Sequence, residues 1–138
     1  MKTRLALISL VLVASVLYAV GQGPQGMPHR YDVKTETTMT GSVDDVTHPK
    51  GPNGMIGTHF TLKTETGVFD VHAGPETFLA KQGFTIAKGD TVTVTGSKLV
   101  LSGTDAIIAK ELKKGDKVLT LRDANGIPKW SRGAAANN

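Results

Sequence analysis

Between Thr58 and Ser97 the apolar and polar positions describe two strands, a short helix and a third strand. Phe60, Leu62 and Thr64 alternate with His59, Thr61 and Lys63, while Phe69, Val71 and Ala73 alternate with Asp70 and His72. That is the period of two expected of half-buried strands. A two-residue turn at Thr66-Gly67 would set Leu62 against Val71 and Phe60 against Ala73 on one face, with Lys63 opposite Asp70 and Thr61 opposite His72 on the other. A three-residue loop would oppose Leu62 to Asp70 and mix the faces, so the pattern selects the shorter turn.

The second strand runs into Gly74-Pro75-Glu76. Proline suits the first helical position, where its missing N–H costs nothing, and Glu76 suits the positive helix start. Gly83 can end the helix in a left-handed cap, with Phe84 folding back on Leu79. After the turn Ala87-Lys88-Gly89-Asp90, Val92 and Val94 alternate with Thr91, Thr93 and Thr95 in a further strand.

Upstream, Tyr31 to Val46 reads as a long Thr- and Val-rich strand with Gly41 as its bend or bulge. His48 to Gly57 is a loop rich in Pro and Gly. Downstream, Lys98 to Leu101 and Ala106 to Leu112 flank a turn at Ser102 to Asp105, and Ala106 to Ala109 are apolar on both faces, as in a strand covered on both sides. Lys113-Lys114-Gly115-Asp116 repeats the Lys-Gly-Asp turn before a last strand. Asn125-Gly126 signals a closing two-residue hairpin that places Leu121 opposite Trp130. Gly133 to Asn138 is small and polar, which predicts a disordered tail.

The N-terminus changes the setting. Lys2 and Arg4 precede an uncharged, mainly apolar run from Leu5 to Leu17 and then Tyr18-Ala19-Val20-Gly21. This is the layout of a secretory signal, with an apolar core shorter than the ~20 residues of a membrane span. Residues 1–21 are read as a signal peptide cut after Ala19 or Gly21, with retention as a membrane anchor the alternative. Residues 22–30, rich in Gly, Pro and Gln, read as a linker, 31–132 as one domain and 133–138 as the tail. The expected location is periplasmic or secreted.

Charge and cysteine content narrow the function. Lys2 and Arg4 are two of 16 basic residues, so the exported chain would carry 14 against 12 acidic, a formal +2, scattered rather than clustered. That fits a solvated surface better than a phosphate track. With no cysteine, an exported chain has no disulfide framework and no thiolate metal site, and its core must hold the fold alone.

A long bent strand, a hairpin, a helix and two more strands predict an all-β fold: a small five-stranded Greek-key barrel of OB type, with one short helix between strands 3 and 4 and a C-terminal hairpin. The runs VHAGPETFLAKQGF, KGDTVTVTGS, IIAKELKKGD and LTLRDANGIPKW resemble a group of small exported bacterial OB-fold proteins of unassigned function, often labelled nucleic-acid-binding-like. The resemblance covers Thr40 to Trp130 and implies this fold and an export route. Fold does not fix function.

The leading expectation is a non-catalytic binding module for an unidentified protein or small ligand, using the barrel face and the loops Thr47 to Gly57 and Ser102 to Asp105. No nucleophile stands at informative spacing from a histidine and an acid, so no enzyme activity is expected. A second reading is metal or haem handling without a fixed cofactor. In the register above, His72 lies diagonal to His59 on the outer face, about 7 Å across the strands, and such imidazoles can share copper or zinc. His48 and Met55 in the adjoining loop are further N and S donors. No spacing motif supports the set, and the histidine-to-tyrosine spacing of exported haem chaperones is missing. The third reading is single-stranded nucleic acid, which needs aromatic platforms beside a basic groove. Phe60 and Phe69 point inward and Phe78 and Phe84 pack the helix, so nucleic acid is not the expected partner. Membrane contact is expected only through an uncleaved signal.

Overall fold

The structure, a computed structural model, describes residues 31–131. The readings of a signal peptide, a linker and a C-terminal tail fall on residues outside this span. A single 3₁₀ turn at Val33–Thr35 leads into β1 (Glu36–Thr47), β2 (Gly57–Thr64), β3 (Gly67–Pro75), α1 (Glu76–Lys81), β4 (Thr91–Leu101), β5 (Thr104–Lys114) and β6 (Lys117–Thr120). The strand order is β3-β2-β1-β4-β5-β6, and a parallel pairing of β3 with β5 closes the first five strands into a barrel. This is the expected OB-fold barrel with its helix between the third and fourth strands. β6 extends the sheet beyond the barrel.

Each strand contributes its alternate side chains to one interior. Phe60, Leu62, Phe69, Val71, Val92, Val94, Ile107, Ala109 and Leu112 are buried there together, with Leu79 and Phe84 of the helix segment covering one end. Three bulges interrupt the pairing, and those in β1 and β5 shift the alternation by one residue. β1 is shifted between Val43 and Asp45, so the core position after Val43 is Val46. β5 is shifted at Lys110, opposite the step from Thr95 to Gly96, so Ile107 and Ala109 are followed inward by Leu112. β3 is shifted at Ala73, between the pairs His59–His72 and Thr58–Gly74. Burial of all four residues from Ala106 to Ala109 agrees with a strand covered on both sides.

β1 pairs with β4 from Glu36 to Ser42 and with β2 from Ser42 to Thr47. The exchange occurs beside Gly41, where a Cβ would stand 2.2 Å from the Lys63 carbonyl oxygen, so only glycine lets the strands approach. The helix ends as expected. Gly83 has φ +65°, the Phe84 N–H donates to Leu79 O at 3.0 Å, and the Gly83 N–H donates to Ala80 O at 3.0 Å. These two bonds form a Schellman cap, with Phe84 and Leu79 both buried beneath it.

Several details differ from the sequence reading. The β2–β3 turn is two residues long but lies at Glu65-Thr66, so Leu62 faces Phe69, Phe60 faces Val71, Thr61 faces Asp70 and His59 faces His72. The Thr64 hydroxyl fixes this choice by accepting from the Thr66 N–H at 3.2 Å and donating to Gly67 O at 2.9 Å. Because the slip is two residues, every side chain keeps its face. Pro75 occupies the extended N-cap position rather than the first helical one. The two Lys-Gly-Asp turns differ: Gly89 lies in the approach to β4, whereas Gly115-Asp116 is a two-residue hairpin between β5 and β6. At the C-terminus Arg122 bridges to Pro128 and the Lys129 N–H donates to Leu121 O, so the loop is one residue longer than Asn125-Gly126 implies. Leu121 therefore faces Lys129, not Trp130. The Trp130 ring instead lies over Gly74 and 5.5 Å from Phe78.

Candidate functional site

His59 and His72 stand on neighbouring antiparallel strands, directly across from each other in the register set by the Glu65-Thr66 turn. Their rings stack with centroids 3.9 Å apart and planes 26° from parallel. Asp70, two residues before His72 and so on the same face of β3, has its Oδ2 3.1 Å from His72 Nε2, the distance of an imidazole N–H donating to a carboxylate. The ligand atoms of His59, Asp70 and His72 all lie within 4.8 Å of one another. Beneath them Phe60 and Val71 are buried, which fixes the backbone that carries the three side chains. Solvent still reaches the group, since the Asp70 side chain is 42% exposed and that of His72 17%. The sequence reading placed the histidines on this face but diagonally, and it left Asp70 as a surface neighbour.

His48 and Met55 do not join this group. His48 lies beside Thr58, Leu79 and Phe84 in a cleft of about 240 Å³ on the helix side of the barrel, and its Nδ1 is 3.3 Å from Gly57 O. Met55 is 43% exposed in the β1–β2 loop.

A larger groove of about 620 Å³ lies at the tip of the β2–β3 hairpin, lined by Thr37 to Thr40, Thr64 to Thr66, Phe69 and Lys98. It is not at the loops expected from the sequence, since the β4–β5 connection is only the tight turn Ser102-Gly103. The groove has two distinctive properties. Along Glu36 to Gly41, β1 pairs only with β4, because β2 turns away at Thr64. Gly67 to Phe69 of β3 likewise pair only with β2. The walls carry threonine hydroxyls and one charge of each sign, Glu65 and Lys98, and Lys98 Nζ sits 5.2 Å from the centre of the Phe69 ring.

Residues 35–119 match the sequence model of the MamS/MamX magnetosome protein family, more than half of the chain. The chain belongs to that family. A comparison with curated proteins finds no match. Among solved structures the chain is similar to a small single-stranded DNA-binding protein from Streptomyces coelicolor, with 18% identity, a TM-score of 0.47, and 64% of this chain and 96% of that one covered. It is also similar to the mitochondrial single-stranded DNA-binding protein Rim1 of S. cerevisiae, at 12% identity and TM-score 0.48, with 67% and 97% covered. A third is the second OB-fold domain of replication protein A from Methanococcus maripaludis, at 22% and 0.44, with 61% and 87% covered.

The span matched to the MamS/MamX family holds both the His59, Asp70 and His72 group and the hairpin-tip groove. A second polar cluster, which the sequence reading missed, joins Glu36 and Lys110 of this span to Tyr31, Arg122 and Trp130 beyond it. Lys110 Nζ is 2.8 Å from both carboxylate oxygens of Glu36, and the Tyr31 hydroxyl donates to Glu36 Oε1 at 2.7 Å. The Arg122 guanidinium sits 5.5 Å from the Tyr31 ring and 5.3 Å from the Trp130 ring. Hydrogen bonds from Lys110 and then Tyr31 hold the Glu36 carboxyl below its usual range. Burial, followed by the bond to Glu36, pushes the Tyr31 phenol up, and burial lowers Arg122. No periodicity marks these residues, and Glu36 and Lys110 meet from positions 74 apart. The cluster ties both ends of the described chain to β5.

Proposed function

We propose that this chain is a non-catalytic binding module, acting outside the cytoplasm in the magnetosome setting to which its family points, and that it holds an extended segment of a partner polypeptide in the hairpin-tip groove. The observation that carries the reading is the groove wall itself. Along Glu36 to Gly41 one edge of β1 has no strand beside it. An extended chain laid there continues the sheet through main-chain hydrogen bonds, with the exposed Thr38 and Lys98 side chains at hand for its residues. The near-balanced charge of the groove suits a peptide better than a phosphate backbone.

Single-stranded nucleic acid has less support. Phe60, Phe69 and Phe84 are each under 5% exposed, and Phe78 and Trp130 pack against the core, so few aromatic faces remain for base stacking. Export rests on the basic, apolar and small-residue order of the first 21 residues.

The test places a photoreactive side chain at the exposed groove residue Thr38, and at Lys81 on α1 as a control, in protein expressed in its own host. The expected result is a covalent adduct with another polypeptide from Thr38 alone, on a protein whose N-terminus lies between Val20 and Gln25. Equal labelling from Lys81, or none from Thr38, removes the groove as the binding site. A soluble cytoplasmic protein that retains Met1 ends the export reading.

A further inference from the structure

His59, Asp70 and His72 bring two imidazoles and a carboxylate together on the outer face of the barrel, and none of the three lines the groove just described. We infer that these three residues form a binding site for a divalent first-row transition metal ion, with at least one coordination position left open. The donor set decides the class of metal. Imidazole and carboxylate suit Zn²⁺, Cu²⁺, Ni²⁺, Co²⁺ or Fe²⁺, while the soft thiolates that favour Cu⁺ are missing from a chain without cysteine.

The spacing agrees. Two ligands of a tetrahedral zinc ion stand about 3.4 Å apart when the bonds are about 2.0–2.1 Å, close to the 3.1 Å between Asp70 Oδ2 and His72 Nε2. An ion between them takes the place of the shared proton. The third donor, on His59, is at most 4.8 Å from the others and has to come in by rotation of its ring, which stacks on that of His72. The backbone beneath needs no rearrangement, because all three residues stand on paired strands over a closed core. Three protein ligands at a half-exposed position leave room for water or a partner's donor, the arrangement of an exchangeable rather than a closed structural site.

Titration of the full protein with Zn²⁺, Ni²⁺ and Cu²⁺, followed by calorimetry, tests the site. We expect one equivalent bound per chain. His59→Ala/His72→Ala and Asp70→Asn should each weaken binding by at least about tenfold, the loss that even outer-shell partners produce. His48→Ala/Met55→Ala should leave it unchanged. A readout on the unmodified protein guards against misfolded variants: added Ni²⁺ should broaden the imidazole proton resonances of His59 and His72, two of the chain's four histidines, and spare those of His29 and His48. No stoichiometric binding by the folded protein overturns the inference. So does binding that survives the double histidine substitution, or broadening confined to His29 or His48.

Discussion

Gly83 and Gly41 show two different reasons for a glycine. At Gly83 φ is +65° and nothing lies within 4 Å of where a Cβ would stand, so a side chain there costs conformational energy alone. Gly83→Ala should lower stability by on the order of 1 kcal/mol. At Gly41 φ is unexceptional, but a Cβ would meet the Lys63 carbonyl at 2.2 Å, and because that atom is backbone the β1–β2 ladder would have to part. Gly41→Ala should therefore cost clearly more than Gly83→Ala. Urea unfolding of the two variants checks the order, and equal midpoints would mean that β1 and β2 yield at this point more easily than their spacing implies. Only the first of these roles was legible in the sequence. A helix end followed by Gly and an apolar residue is a local signal, whereas the approach of Lys63 is set by a strand pairing 22 residues away in the chain.

The elements themselves follow from alternation, and the departures occur where alternation carries no information. A hairpin register slipped by two residues preserves both faces, so the period of two admitted the pairing of Leu62 with Val71 as readily as the observed pairing with Phe69. The deciding contact is the Thr64 hydroxyl, a single polar atom that closes the turn one residue early. The slip matters for the candidate site. It turns a diagonal pair of histidines into a directly opposed, stacked one, beside an Asp70 that reaches His72 along β3 itself. Two of the bulges were invisible for a related reason: Asp44 and Lys110 each interrupt an apolar alternation by one residue, which reads in a sequence as the edge of a strand, while the third, at Ala73, leaves the alternation of Phe69, Val71 and Ala73 intact. β4 shows the same effect, running unbroken from Thr91 to Leu101 through a Gly96-Ser97 step that reads as a strand end. Helix existence, strand identity and the barrel were thus available from local pattern, while cross-strand partners were not.

At the scale of the whole molecule, the bulge at Lys110 links the barrel to its ends. The extra residue aims the Lys110 ammonium at Glu36, and Glu36 accepts from Tyr31, whose ring faces the Arg122 guanidinium that also lies beside Trp130. A second ion pair, Lys114 with Asp90 at 3.2 Å, fixes the approach to β4, where the Ala87 N–H also donates to Asp90. Both carboxylates are held below their ordinary values, Glu36 chiefly by Lys110 and Asp90 chiefly by the Ala87 N–H. A group whose folded pKa is depressed stabilises the fold above its unfolded pKa, and that contribution is lost as pH falls, because the unfolded chain then binds the proton more readily. The loss should begin near the ordinary values of 4.5 for Glu36 and 3.8 for Asp90 and continue below them. Glu36→Gln should be less stable than wild type at neutral pH, since Lys110 is left half-buried without its carboxylate. On acidification its melting temperature should fall less steeply, so the two curves approach each other at low pH. Asp90→Asn, added to it, should flatten the acid limb further. Melting curves of wild type and both variants from neutral pH downward measure this, and parallel acid limbs would show that the two ion pairs do not set the acid stability of the barrel.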